Sequence, residues 1–234
     1  MPEVYDVAVV GRGLIGSAAA RHLAESGMQV VVIGPDEPAD RRLSLGPFCS
    51  HPDEGRITRV AGRTPIWSQM AARSIQRYAD ISERSGIDFH HACGLVSSSP
   101  IADKWIENSE IAGGNALLVD QQWVFDQTGI SLNNDHPVLY EGAPAGYINP
   151  RRLIKAQNKL AEVAGAMVVK EAASSLRHTN SGHSVAGMWG SVTAQRVLVT
   201  TGAFGSELLN CSLDLRRMPR TTVTAEMPSN EEIP

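Results

Sequence analysis

Gly11, Gly13 and Gly16 stand directly after the apolar segment 4–10. A glycine at the first position permits a tight turn out of a strand, and one at the second leaves no Cβ between the backbone and an approaching pyrophosphate. The third lets a following helix pack close to the sheet. Free N–H groups at the start of that helix attract phosphate oxygens. The spacing therefore predicts a dinucleotide site formed by Gly11, Arg12, Gly13, Leu14, Ile15 and Gly16.

The segments around these glycines have the composition of a β-α-β unit. Residues 4–10 are apolar and β-branched, as in a strand that is buried on both faces of a parallel sheet. Residues 17–26 are rich in helix formers, and residues 30–33 are typical of a second buried strand. Because these elements agree with the glycine spacing, the sequence predicts an α/β fold of the Rossmann type.

The end of the second strand departs from the usual pattern. An acid that binds the ribose hydroxyls is common there, but this chain has Gly34, followed by Pro35 and Asp36. Either Asp36 or a backbone group is then expected to bind the ribose. Arg41 and Arg42 leave two interpretations open: they bind a 2′-phosphate, which would indicate NADP, or they are solvated loop residues.

The composition excludes several classes of protein. The chain has 234 residues, a formal charge of −4, 42% apolar residues and 20% charged residues, which is an ordinary globular composition. This charge provides no basic field for nucleic acid, and no apolar run reaches the ~18–20 residues of a membrane span.

Three widely spaced cysteines and an N-terminus without a basic region predict a cytoplasmic protein without a disulfide framework. Neighbouring strand residues point to opposite faces, so His90 and His91 predict no metal site.

A long loop after the second strand carries further motifs. Ser50 and His51, followed by the segment 56–59 (Arg-Ile-Thr-Arg), resemble the FAD-dependent amine and amino-acid oxidoreductases of the D-amino-acid oxidase superfamily, especially the sarcosine oxidase branch. Segment 146–151 resembles the place where the chain of that family returns to its FAD domain. Segment 200–204 is similar to its second nucleotide-contacting turn.

The resemblance implies a chain that crosses twice between two domains. Residues 1–60 and 149–212 would form a Rossmann-type FAD-binding domain, and residues 61–148 would begin a mainly antiparallel substrate domain. Residues 213–234 would start the return to that second domain. Within the substrate domain, residues 65–85 have the apolar periodicity of one amphipathic helix.

The resemblance also implies a reaction and its residues. A hydride leaves the carbon next to the nitrogen of a small amine or amino acid for the flavin, the imine hydrolyses, and oxygen reoxidises the flavin. Arg56 would support the reduced flavin, Arg59 would bind a substrate carboxylate, and His51 would line the site. The alternative is that these are loop residues, with the two arginines paired to Asp53 and Glu54. The further residues expected at the cofactor are Gly34, Pro35, Asp36, Ser50, Ala173, Thr201, Gly202 and Ala203.

Members of the resembled family continue well beyond the length of this chain. Their later part holds the remaining substrate-domain strands, a lysine used with oxygen and a last glycine turn over the cofactor. Three interpretations follow: a fragment, one half of a split enzyme that needs a second chain, or a degenerate relative. An FAD-dependent oxidoreductase is the leading prediction, with an NADP-binding dehydrogenase and a non-catalytic nucleotide-binding chain as alternatives.

Overall fold

A computed structural model describes residues 4–38, 40, 53–209, 211, 213–215 and 218. Ser50, His51, Arg41 and Arg42 lie outside this part of the chain. Its strands are β1 (Tyr5–Val10), β2 (Val30–Ile33), β3 (Arg56–Thr58), β4 (His90–His91), β5 (Leu95–Ser98), β6 (Ala116–Val119), β7 (Val138–Glu141), β8 (Gly146–Ile148), β9 (Met167–Val169), β10 (Ser175–Thr179), β11 (Gly182–Gly187) and β12 (Gly190–Val199). Its helices are α1 (Leu14–Glu25), α2 (Pro65–Ile75), α3 (Tyr78–Ser85), α4 (Ala102–Ile111), α5 (Gln121–Thr128), α6 (Pro150–Val163), a 3-10 helix (Gly202–Phe204) and α7 (Gly205–Leu209).

The chain divides into two compact units. The first unit consists of the described residues within 1–52, 81–88 and 150–220. The second consists of the described residues within 53–80 and 89–149. Each unit is therefore assembled from separate stretches of sequence.

The first unit is built on a six-stranded sheet, sheet A, with the order β10-β11-β12-β1-β2-β9. The pairs β12–β1, β1–β2 and β2–β9 are parallel, while β10–β11 and β11–β12 are antiparallel. Strand β1 lies in the middle of the parallel part, where its valines are buried from both sides. The carboxyl ends of β1, β2 and β12 consequently meet at one edge of the sheet.

Both faces of sheet A are covered. On one face, Val7 and Val9 pack with Val30 and Val32 against small residues of α1 and α6, including Ala20, Ala24 and Ala161. Between these helices, the buried Arg21 donates from Nε to Oε1 of Gln157 (2.5 Å) and from Nη1 to Oε2 of Glu25 (2.6 Å). The alternation of strand residues places Ala8, Val10, Val31 and Ile33 in the core of the opposite face.

The second unit contains two three-stranded antiparallel sheets. Sheet B has the order β3-β8-β4, and sheet C has the order β5-β7-β6. A small core beside sheet C consists of Ala61, Ala102, Trp105 and Leu139. A mainly parallel sheet A with antiparallel sheets B and C confirms the predicted α/β class.

The single amphipathic helix predicted over residues 65–85 is wrong in one respect. The structure has two helices there, α2 and α3, separated by Gln76 and Arg77. The amide of Arg77 donates to the carbonyl of Ser74 (3.0 Å), three residues back, so the backbone tightens and leaves the α-helical bonding pattern. Hydrophobic spacing continues across such a turn, which is why the sequence pattern did not reveal it.

Candidate functional site

The glycine turn after β1 is shaped by close backbone approaches. Gly11 has a φ of +109°, and a Cβ on it would lie 2.5 Å from the carbonyl oxygen of Thr200. A Cβ on Gly16 would collide with the carbonyl oxygen of Gly11 and lie 2.5 Å from Oγ1 of Thr200. That hydroxyl lies 3.0 Å from the carbonyl oxygens of both Val10 and Gly11, to which it can donate. Glycine is therefore required at positions 11 and 16 by the contact between the ends of β1 and β12.

Gly13 stands in a more open place than Gly11 and Gly16. It precedes α1 as its N-cap, and it provides no side chain to bond the first helical amides. No described atom lies within 4 Å of the place where its Cβ would be. The amino end of α1 thus faces open space, in the arrangement that favours an anion.

This open space is a cleft of about 1700 Å³ bounded by described residues of the first unit. The turn after β1, the segment after β2, one side of α6 and the segment after β12 surround it. Of the residues predicted to bind the cofactor, the structure brings together at this cleft Gly11, Arg12, Gly13, Leu14, Ile15, Pro35, Asp36, Ala173, Thr201, Gly202 and Ala203. Gly16 lies beside Gly11 within the turn, and Gly34 lies beside Arg12. Neither of the two residues lines the cleft.

Several polar atoms at the cleft are buried without a partner. Within the described part of the chain, Nε of Arg12, Oδ1 of Asn158 and Oγ1 of Thr201 have no hydrogen-bond partner. Leaving such groups unsatisfied costs about 1–3 kcal/mol each, so a site of this kind suits a polar ligand or ordered water. Together with the glycine cradle, these atoms fit an extended dinucleotide. Asn158 was missed by the sequence analysis, although an asparagine among the buried residues of α6 is a signal that could have revealed it.

The departure at Gly34 has a physical explanation. A Cβ on Gly34 would lie 3.0 Å from the amide nitrogen of Arg12 and 3.1 Å from its Cγ, so a side chain there would be crowded. The guanidinium of Arg12 donates from Nη1 to the carbonyl of Gly34 (3.0 Å) and to Oδ1 of Asp36 (2.9 Å). Arg12 thus occupies the space of the usual acid and holds the Asp36 carboxylate at the cleft.

The charge of Asp36 is stabilised by two cations. Burial alone would raise the pKa of its carboxyl group, but hydrogen bonds from Lys170 and Arg12, and their positive charges, lower that pKa below its usual value. The Nζ of Lys170 lies 3.2 Å from Oδ2 of Asp36. Asp36 is therefore ionised at neutral pH and can accept hydrogen bonds from hydroxyl groups.

Arg56 belongs to the second unit and is engaged in an ion pair. Its Nε lies 2.6 Å from Oδ2 of Asp53, and its Nη2 lies 3.0 Å from Oδ1. This two-pronged contact is the pairing that the alternative interpretation describes for Arg56. The side chain is nearly half exposed.

Arg59, in the same unit, has a different environment. Its guanidinium carbon lies 4.3 Å from the ring centroid of Trp105, a cation–π contact. Within the described residues, no hydrogen bond or ion pair engages this side chain. Burial lowers the pKa of Arg59, the Glu141 carboxylate raises it, and the charge of Arg63 lowers it. The result is a half-buried cationic fork whose N–H groups are available to an anion.

Other candidate sites in the described residues are limited. No group of three His, Cys, Asp or Glu side chains there could hold a metal ion. His90 lies 3.0 Å from the carbonyl of Pro144, whereas His91 stacks on Tyr147 with ring centroids 4.6 Å apart. None of the described helices has the length and apolar character needed to cross a membrane.

Comparison with known proteins identifies the family. The family described as DAO, FAD dependent oxidoreductase, matches residues 6–232. N-methyl-L-tryptophan oxidase of Yersinia pestis (strain Pestoides F) is 23% identical over 217 residues, which cover 88% of this chain and 55% of that relative. The chain belongs to the DAO family of FAD dependent oxidoreductases. The family predicted from the motifs, and FAD as its cofactor, are confirmed, and the NADP alternative is not favoured.

Solved structures show the same fold. L-proline dehydrogenase from P. horikoshii has a TM-score of 0.73 and 17% identity, over 90% of this chain and 56% of that one. Glycine oxidase from Geobacillus kaustophilus has a TM-score of 0.69 and 20% identity, over 91% of this chain and 60% of that one. At these identities the likeness supports the fold alone. The chain spans little more than half the length of these relatives.

Proposed function

We propose that the chain provides the FAD-binding cleft and part of the substrate site of an oxidoreductase that acts on the C–N bond of a small amine or amino acid. The cleft carries this proposal, because it joins a glycine cradle to buried polar atoms that lack partners. When bound, FAD accepts a hydride from the carbon next to the amine nitrogen. The protein provides binding, orientation and charge.

Each part of the cleft has a proposed task toward the cofactor. The amides at the start of α1 bind the pyrophosphate, with Gly13 leaving room for its approach. Asp36, held by Arg12, accepts hydrogen bonds from the ribose hydroxyls. The buried hydroxyl of Thr201 donates to or accepts from the nucleotide, and the buried Oδ1 of Asn158 accepts from it. In this proposal most of the first unit belongs to the FAD domain and most of the second belongs to the substrate domain. The boundaries at 60, 148 and 212 remain predictions.

Arg59 is the proposed partner of a substrate carboxylate. Its guanidinium carbon lies over the ring of Trp105, and no described acidic residue neutralises it through an ion pair. A planar fork in this state can form two parallel hydrogen bonds to a carboxylate. Roles for Arg56 toward the flavin and for Ser50 and His51 at the site rest on the family resemblance.

Binding of FAD tests the proposed cofactor directly. Purified chain is titrated with FAD while the flavin fluorescence is followed, and a parallel titration uses NADP⁺ with calorimetric detection. We expect saturable binding of FAD and none of NADP⁺ at the same concentrations. Tighter binding of NADP⁺, or binding of neither nucleotide, would contradict the proposal.

Substitution of Arg59 tests the proposed substrate class. Arg59→Lys keeps the charge and loses the planar fork, so the affinity for an amino-acid substrate should fall by about 1–3 kcal/mol. The measurement is KM in a preparation that catalyses amine oxidation. The control substrate is an N-methylated amine with the same side chain as the amino acid but without its carboxylate. A KM for the amino acid that does not change would make Arg59 a structural residue.

A further inference from the structure

The segment 59–62, which carries Arg59, is held in place by buried contacts of the second unit. Val60 and Ala61 are buried, so their backbone amides cannot be satisfied by bulk water. Both amides donate to the carboxylate of Glu141: Val60 to Oε1 (2.6 Å) and Ala61 to Oε2 (2.8 Å). One side chain thus fixes the two peptide groups that follow Arg59.

Glu141 is unusual because it is a fully buried acid. It is 1% exposed and lies at the end of β7, the central strand of sheet C, opposite Leu95 on one side and Ala116 on the other. A buried carboxylate is costly unless hydrogen bonds and nearby positive charge compensate it. Here two charge-assisted hydrogen bonds and the neighbouring Arg59 provide that compensation.

A second contact comes from α4. Nδ2 of Asn108 donates to the carbonyl of Gly62 (2.8 Å), and Trp105, one helical turn earlier, provides the ring beneath Arg59. Residues three apart lie on the same side of a helix, so one side of α4 holds both the end of the segment and its charged side chain. The segment is therefore fixed between α4 and the end of β7.

We propose that Glu141 is a positioning residue for Arg59: by binding the amides of Val60 and Ala61, it keeps the guanidinium on Trp105 with its N–H groups directed to a substrate carboxylate. Glu141 itself does not touch the substrate in this proposal. The inference rests on the proposed function of Arg59. Glutamine at position 141 would offer one carbonyl oxygen and would turn an amino group toward the second amide donor, so the backbone at residues 60 and 61 would have to move.

The position of Arg59 can be measured without turnover. In labelled protein, the Nε–H proton of a guanidinium stacked on an indole ring is shifted upfield by the ring current, and loss of the signal in Arg59→Lys assigns it. We expect Glu141→Gln to move this signal toward the value of an exposed arginine. Glu110→Gln, the same change at an exposed position of α4, should leave the signal in place.

The outcomes separate a positioning role from a purely structural one. If Glu141→Gln lowers the melting temperature but leaves the Arg59 signal unchanged, the positioning role is wrong. Should this variant not fold, the same signal is followed in Glu141→Asp, which keeps the charge but is one methylene shorter. Displacement of the Arg59 signal supports the positioning role, and an unchanged signal overturns it.

A titration of the unmodified chain with N-methylglycine tests the proposed function separately. If the Arg59 signal does not respond, carboxylate binding fails while the positioning of Arg59 by Glu141 still stands.

Discussion

The side chain of Arg12 fills the space beside Gly34, and the acid available at this edge of sheet A is therefore Asp36, two residues further along the chain. The sequence has glycine instead of an acid at position 34 and an aspartate at position 36. It could therefore be anticipated that Asp36 takes the place of the usual acid. The conformation of Arg12 could not, because it depends on the carbonyl of Gly34 and on the Asp36 carboxylate in the folded protein. Glu141 was missed for a related reason: a lone glutamate at a strand end usually faces solvent.

The environment of Asp36 predicts a pH dependence of stability. Its pKa is lowered in the folded state, so its contribution to the free energy of unfolding is present above the unfolded value of about 3.9 and is lost as the pH falls toward the folded value. Asp36→Asn should lower the melting temperature at neutral pH, and the difference from the unmodified chain should shrink on acidification.

The control for this prediction is Asp135→Asn, at an exposed position of the second unit that does not line the cleft. Melting curves of the three proteins are compared between about pH 7 and pH 3.5, a range that includes the titration of an unfolded aspartate. A difference between Asp36→Asn and the unmodified chain that stays constant over this range would show that the ion pairs of Asp36 contribute no stability.

Gly13 carries the sharpest prediction about cofactor binding. Gly13→Val places a branched side chain in the space at the start of α1, where the pyrophosphate is proposed to lie. Flavin retention should be lost while the circular dichroism of the protein stays nearly unchanged, since no described atom is close enough to clash. The measurement is flavin absorbance per mole of protein after gel filtration together with a second polypeptide equivalent to the remaining length of the relatives, because the 234 residues alone are expected to hold FAD weakly.

Gly55→Val is the matched control for this change. A Cβ at Gly55 would be no closer than 4.0 Å to its nearest neighbour, a ring carbon of Tyr147, and Gly55 does not line the cleft. It should retain as much flavin as the unmodified chain. Equal flavin content in Gly13→Val and Gly55→Val would refute the placement of the pyrophosphate.

At the scale of elements, the sequence predicts best where local pattern and tertiary burial agree. The unit β1-α1-β2 was predicted because continuous apolar runs and correctly spaced glycines identify it without long-range information. The break between α2 and α3 was not predicted, since two residues with ordinary helix propensity occupy it. The helix propensity of single residues does not reveal at which helical turn the tertiary structure will break the α-helical hydrogen bonding.

The junction between β1 and β12 gives a prediction at this scale. Thr200→Val keeps the shape of the side chain and removes the hydroxyl that contacts the carbonyls of Val10 and Gly11. We expect the free energy of unfolding to fall by about 1 kcal/mol, as for the loss of one hydrogen bond, and the affinity for FAD to fall with it. Denaturant unfolding and flavin titration measure the two effects.

Thr193→Val serves as the control, because Thr193 lies in β12, the strand that Thr200 directly follows, and no side-chain hydrogen bond is found for it in the described part of the chain. Its effect on stability should be smaller, and its effect on FAD affinity should be absent. If both variants behaved alike, the hydroxyl of Thr200 would have no special role at the glycine turn.

At the scale of the whole molecule, the chain corresponds to 55% of the relative N-methyl-L-tryptophan oxidase. We expect these 234 residues alone to bind FAD weakly and to show no amine oxidation. Each tenfold loss of affinity corresponds to about 1.4 kcal/mol, so a few absent contacts would weaken binding by orders of magnitude. Addition of a second polypeptide equivalent to the remaining length of the relatives should give a yellow, active complex.

Size-exclusion chromatography with detection at protein and flavin wavelengths tests this expectation. The chain alone should elute with little flavin and a tendency to associate, and the two polypeptides together should elute as one flavin-containing species. A monodisperse, yellow and active preparation of the 234 residues without any partner would contradict the prediction.

The order of strands in sheet A also determines when this protein can fold during synthesis. Strand β2 follows β1 closely, but the other neighbour of β1 is β12, where Ala194 pairs with Tyr5 across 189 residues (194 − 5). At about 5–20 residues per second, a ribosome needs about 10–40 s to make that length. Throughout this interval one edge of an apolar strand lacks its native neighbour and can pair with other nascent chains. We therefore expect the growing polypeptide to depend on chaperones until Thr200 has left the ribosome, since only then can the glycine turn close.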